Sequence, residues 1–186
     1  MRNSCAVICG GPSAASYPKD CDLPAISINH HAMRLGINRI ADIYGDCLGA
    51  FWGVTKYWLN LSAKNPDVQT WMREDPRVEL PKGVITFPGQ WDVPHREYLS
   101  SPGVMWGQFP TREGTFRSTF ITSFRIAWDL GYRKIYLVGA DFEPRRRFPC
   151  SLFRYLWKLA RVFDDHGLEI VDLSGGLGCF PTGGLP

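Results

Sequence analysis

Four short stretches of this 186-residue chain carry residue types suited to chemistry on a phosphorylated ligand. The first is Cys9-Gly10-Gly11-Pro12-Ser13, directly after the apolar run Ala6-Val7-Ile8. Paired glycines let a backbone approach a ligand closely, and the N–H groups of such a turn can hold a phosphate. The stretch is neither a P-loop, lacking G-K-S/T, nor a G-x-G-x-x-G dinucleotide fingerprint, and any tight turn would use the same pair. The second is Ser27-Ile28-Asn29-His30-His31, where the Asn29 amide offers both a donor and an acceptor to a base or sugar. His30 and His31 have no third ligand nearby, and strand-end neighbours point apart, so a structural or capping role is expected. The third, Tyr44-Gly45-Asp46, adds a carboxylate. In the fourth, Arg117-Ser118-Thr119 opens a helix and Gly139-Ala140-Asp141-Phe142 closes the strand that follows it. Ser118 and Thr119 can bind an anion with hydroxyls and free N–H groups, or simply cap the helix. Asp141 suits a ribose, a base edge or proton transfer; its plainer role is to cap the next turn.

These stretches need elements that bring them to one place. Short apolar runs alternate with helical segments, the pattern of a parallel α/β sheet. Strands are expected at 5–9, 25–28, 40–44, 84–87, 134–138 and 169–172, and helices at 31–35, 50–60, 118–130 and 151–166. Leu152, Leu156, Leu159 and Phe163 form a stripe for packing on the sheet. All four chemical stretches then fall at the carboxyl ends of strands or at the helix start beside them, where open α/β sheets bind ligands. The segment 66–113 is rich in proline, glycine and tryptophan and reads as an irregular, lid-like insertion with one strand. Its Trp71, Trp91 and Trp106 could stack on a saccharide, or on a nucleic acid. No repeat or linker divides residues 1–186, so one domain is expected.

Composition narrows the classes. Hydrophobic residues make up 45% and charged residues 21%, enough for a core. A net charge of +3 allows phosphate-bearing ligands but is small for a chain built on DNA neutralisation. The six cysteines form no C-x-x-C pair, and Cys5 and Cys9 in one strand would lie ~13 Å apart, beyond disulfide reach. Reduced thiols, no structural metal and a cytoplasmic location follow as expectations. The apolar run at the start is too short for a secretion signal, and no stretch could span a membrane.

Together the motifs carry a resemblance. Val7-Ile8-Cys9-Gly10-Gly11-Pro12-Ser13 resembles the opening I-x-G-N/G-G-P-S, and Ser27-Ile28-Asn29 the asparagine strand that follows it. Ser118-Thr119 with the run from Ala127 to Phe142 resembles T-S-G…A-L-G-Y-K-x-I-Y-L-x-G-x-D-F. This set is similar to that of bacterial sialyltransferases of the lipooligosaccharide type, and more loosely to the 6-hydroxymethylpterin diphosphokinase-like proteins. The likeness covers both ends of the chain and is poor between about 47 and 110. It implies a Rossmann-like domain, mostly parallel with helices on both faces, holding a nucleotide-activated donor. By position, Gly10, Gly11, Ser13 and Asn29 would bind the nucleotide, and Ser118 and Thr119 its phosphate or a donor carboxylate. Asp46 stands where the sialyltransferases carry asparagine and the diphosphokinase-like proteins often aspartate.

The implied activity is glycosyl transfer to an acceptor hydroxyl of a glycan, a small molecule or a hydroxymethylated nucleobase in DNA. The sialyltransferases carry their base histidine in a long lid after G-x-D-F. Here only residues 143–147 separate Phe142 from the next helix, and His166 does not match. The base is therefore expected among Asp141, Asp46 and His95. The single Asp-x-Asp, Asp20-Cys21-Asp22, reads as a solvated turn, so no metal is obligatory. N–H groups, hydroxyls and the arginines Arg117, Arg145 and Arg146 would stabilise the leaving nucleotide. The alternative is pyrophosphate transfer from ATP to a pterin-like alcohol, with Mg2+ held by Asp46 and Asp141. A third reading is a nucleotide-binding module without turnover.

Overall fold

The computed structural model describes residues 3–45, 52–73, 78–87, 108–111, 114–117, 119–141, 156, 160, 163–165 and 167–186, with Trp52, Ile121 and the strand residues between 108 and 117 by backbone alone. Seven strands form one parallel sheet: β1 (Ser4–Ile8), β2 (Ala25–Ile28), β3 (Ala41–Tyr44), β4 (Gln69–Arg73), β5 (Ile85–Phe87), β8 (Lys134–Val138) and β9 (Glu169–Asp172). Their order is β5-β4-β3-β2-β1-β8-β9. A separate antiparallel hairpin joins β6 (Gln108–Thr111) to β7 (Gly114–Arg117). The helices are a 3-10 turn η1 (Pro12–Ser16), α1 (His31–Leu35), α2 (Trp52–Ala63) and α3 (Thr119–Asp129).

Alternation along the strands explains why helices cover both faces. Cys5, Val7, Ile26, Ile28, Ala41, Ile43, Ile135 and Leu137 all face one side. There they pack against Phe120, Phe124 and Ala127 of α3 and against Leu156 and Phe163. The intervening Ala6, Ile8, Ala25 and Val138 face the other way, onto Ala14 of η1, Ala32 of α1 and Tyr17. Farther along that second face, Tyr44 and Met72 meet Leu59 of α2. The fold is the parallel α/β architecture expected from the apolar runs, Rossmann-like as the resemblance implies. Leu156 and Phe163 of the expected stripe are buried, whereas Leu152 and Leu159 lie outside the described residues.

The segment 66–113 corrects the sequence reading. It contains not one strand but β4 and β5 in the main sheet, and it also supplies β6 of the hairpin. β4 lacks the β-branched run that marked the other strands. Its buried positions hold Thr70, Met72 and Arg73, two of them polar. Thr70 is tolerated there because its hydroxyl shares a 2.7 Å hydrogen bond with the Ser62 hydroxyl of α2. Trp71 packs against the main core instead of standing on a loop, and its indole N–H reaches Gln69 Oε1 at 3.3 Å. Trp91 and Trp106 lie outside the described residues.

Cys5, Cys9, Cys21 and Cys179 are free thiols, and Cys47 and Cys150 lie outside the described residues. Burial pushes the Cys5 thiol up to about 12. No helix among the described residues is long and apolar enough to cross a membrane.

Candidate active site at the carboxyl rim

β1 is the strand from which the chain runs outward in both directions, to β2 on one side and β8 on the other. The chain therefore leaves β1 and β8 in opposite directions, and ligands usually bind at such a point in this architecture. Two hydrogen bonds join the two loops. The Gly11 N–H donates to the Gly139 carbonyl at 2.8 Å, and the Ser13 N–H donates to Asp141 Oδ2 at 2.6 Å. Asp141 thus ties the β1 loop to the β8 loop across 128 residues of sequence. The contact is to a distant turn, not to the next turn along the chain.

The glycines are needed for protein neighbours as much as for a ligand. A Cβ at Gly11 would sit 2.5 Å from both Asp141 Oδ2 and the Gly139 carbonyl oxygen. A Cβ at Gly10 would sit 2.5 Å from the Cε1 and Nε2 atoms of His31. Gly139, at φ +72°, is the one residue type that turns sharply there without strain, and η1 packs on it through Ala14. Several N–H groups of the β1 turn point inward: those of Cys9, Gly11 and Ala14 meet backbone carbonyls, and that of Ser13 meets Asp141. Pro12 has none. Gly10 supplies the amide of this turn that has no partner among the described residues, and the buried Ser13 hydroxyl likewise has none.

The second rim loop follows β2. Asn29 has φ +55°, a left-handed conformation that asparagine tolerates better than most residues. Its N–H donates to the Ile43 carbonyl, and its carbonyl accepts the Ser27 hydroxyl at 3.0 Å. The same Ser27 oxygen accepts the Ala32 N–H at 3.0 Å, so one buried serine fixes both the turn and the start of α1. The histidines do not point apart. The turn into α1 lays their rings 5.3 Å apart, and His30 stacks on Trp58 at 5.0 Å with 8° between the planes. Nor do they cap: His30 occupies the N-cap position without a side-chain cap bond. Burial is the main cause that lowers both, and it brings His31 down to about 4, with His30 and Arg34 adding to the effect.

Farther along the rim, Gly45 after β3 closes directly on the Thr119 hydroxyl at the start of α3. Arg73, at the end of β4, lies beside the same glycine: its Nη2 would be 3.3 Å from a Cβ there. Arg73 is buried, with its guanidinium 6.0 Å from the Phe87 ring centroid. Sequence reasoning missed it because the strand that carries it was not recognised. Gly10, Gly11, Ser13, Asn29, Thr119 and Asp141 all lie on this rim. Ser118, Asp46, Arg145 and Arg146 lie outside the described residues, and Arg117 is described as the last backbone position of β7. Among the described residues no three His, Cys, Asp or Glu side chains gather as metal ligands.

No protein-family model matches the sequence, and no curated protein matches it. Among solved structures, the MAf glycosyltransferase from Magnetospirillum magneticum AMB-1 superposes with a TM-score of 0.56 at 16% identity. The match covers 93% of this chain and 32% of that one, so this chain spans about a third of the neighbour's length. A likeness at that identity is a likeness of fold.

Proposed function

We propose that this chain is a transferase that binds a nucleotide-activated sugar at the carboxyl rim of its sheet and passes the sugar to an acceptor hydroxyl. One observation carries the reading: two stretches far apart in sequence, residues 10–13 and 139–141, meet at the strand-order reversal beside β1, with Asn29 at the end of the neighbouring β2 and Thr119 farther along the same rim against Gly45. Two further considerations favour glycosyl transfer. The motifs resemble those of the lipooligosaccharide sialyltransferases, and MAf, a glycosyltransferase, shares the fold over nearly all of this chain.

In this reading the Gly10 N–H, the Ser13 hydroxyl and the Thr119 hydroxyl hold the donor's phosphate, and Asn29 holds its base or sugar. Asp141 keeps the β1 loop in place through Ser13, with its second oxygen facing the donor. Ser118, Asp46, Arg117, Arg145 and Arg146 complete the donor and acceptor contacts. Developing negative charge on the leaving phosphate is met by fixed N–H and O–H donors. The acceptor is a glycan or small molecule, with a hydroxymethylated nucleobase as the further class.

The test is release of free nucleotide from CMP-, UDP- and GDP-sugars, with and without added acceptor glycans. Release from one donor class, saturable and faster with an acceptor, is the expected result. Magnesium-dependent conversion of ATP to AMP with a pterin alcohol would replace this reading by pyrophosphate transfer. Binding of a nucleotide with no turnover of any donor would reduce it to a binding module.

A further inference from the structure

We propose that His31 is the general base of this site, taking the acceptor's hydroxyl proton as the acceptor oxygen attacks the donor. The inference rests on the donor reading above and adds a group that neither the motifs nor the resemblance assigned.

Three observations lead to it. First, the imidazole lies against Gly10 of the β1 loop, its Nε2–Cε1 edge filling the space where a side chain at position 10 would stand. A glycine at 10 is what lets a ring sit there. Second, the ring is held from behind: His30 lies 5.3 Å away and is itself stacked on Trp58 of α2. Third, the described carboxylates nearby already accept hydrogen bonds from the protein. Asp141 Oδ2 accepts the Ser13 N–H, and Asp42 is fully buried on the face beneath α2, bonded to Arg39 and Ser62. The alternatives Asp46 and His95 lie outside the described residues.

Burial, His30 and Arg34 bring His31 down to about 4. The β1 loop that faces it presents Gly10, which carries no charge. The ring is therefore neutral at pH 7, with a lone pair on one nitrogen free to accept a proton. Its basicity is then close to that of a carboxylate. In the step, the acceptor O–H proton moves to the imidazole and the acceptor oxygen bonds to the anomeric carbon. The bond from that carbon to the nucleotide phosphate oxygen breaks, and its electron pair leaves with the nucleotide. The imidazolium then returns its proton to water.

The experiment compares wild type, His31→Gln and His30→Gln on CMP-N-acetylneuraminate, UDP-glucose, UDP-N-acetylglucosamine and GDP-mannose. Nucleotide release and thermal stabilisation by the free nucleotides CMP, UDP and GDP are measured side by side. Release by His31→Gln is expected to fall at least a hundredfold, within the range for loss of a general base. Nucleotide stabilisation should persist in that variant, and His30→Gln, which removes the ring behind His31, should lower release by less than His31→Gln does. The chain has four histidines, so imidazole resonances can also be followed in the wild-type protein. His31 should titrate near pH 4 and shift when the donor is added. Release by His31→Gln within threefold of wild type, or a wild-type His31 resonance indifferent to donor, would overturn the base assignment and leave the donor site standing. No binding and no release by wild type would overturn both.

Discussion

At the residue scale, the lesson lies in Gly10 and Gly11. Their pairing after a strand suggested open space for a ligand, but the space beside each is filled by the protein itself. Gly11 is pinned between Gly139 and Asp141, and Gly10 lies under His31. Those partners stand about 20 and 130 positions away, so no local pattern could name them. A larger residue at 11 would therefore disturb the fold itself. A methyl group there meets a backbone carbonyl that has no rotamer to escape into. Gly11→Ala should lower unfolding stability by about 1–3 kcal/mol, the usual cost of overpacking. It should also weaken nucleotide binding, by moving Ser13 off Asp141. Gly53→Ala, in α2 with nothing within 4 Å of the new Cβ, is the matched control and should be neutral or stabilising by up to ~1 kcal/mol. Urea unfolding of the two variants checks the pair. Equal stability of Gly11→Ala and wild type would mean that the β1–β8 clasp is loose.

At the scale of elements, the strands with dense apolar runs were legible and the polar ones were not. β2, β8 and β9 carry the bounds expected from sequence, and β1, β3 and β5 differ by one residue at one or both ends. β4 escaped because what makes it a central strand is a polar network supplied by its neighbours. Asp42 on β3 accepts the Arg39 Nε–H at 2.6 and 2.8 Å and the Ser62 hydroxyl at 2.6 Å. Ser62 in turn shares a hydrogen bond with Thr70 of β4. This chain links β3, α2 and β4 beside the apolar contact of Tyr44, Met72 and Leu59. Burial pushes the Asp42 carboxyl up, and Arg39 and Ser62 oppose that by stabilising the charge. Asp42→Ala leaves the Arg39 guanidinium, whose side chain is 11% exposed, and the Ser62 hydroxyl without their acceptor. A loss of about 3–5 kcal/mol is expected, the scale for breaking one side of a buried pair. Ser62→Ala removes two buried hydrogen bonds and should cost about 1–3 kcal/mol. Guanidinium unfolding measures both, and a cost below ~1 kcal/mol for Asp42→Ala would remove the network as the link between α2 and the sheet.

For the whole molecule, the sheet order makes the site a joint product of both ends of the sequence. β1 is edged by β2 on one side, but its other neighbour, β8, begins at residue 134, so neither half alone builds the crevice. That is why the motifs were readable one by one while their contacts were not: spacing along the chain says which residues end strands, and only the strand order says which ends adjoin. In the proposed site a nucleotide sits at the carboxyl rim, between the loops after β1, β2 and β8. Backbone amide NMR during titration with CMP, UDP, GDP and ATP tests it most directly. One nucleotide is expected to shift the resonances of Gly10, Gly11, Ser13, Asn29, Thr119 and Asp141, and to spare the loops at the opposite edge around Gly36, Asn65 and Tyr132. No shift with any of the four nucleotides, or shifts confined to that opposite edge, would contradict it.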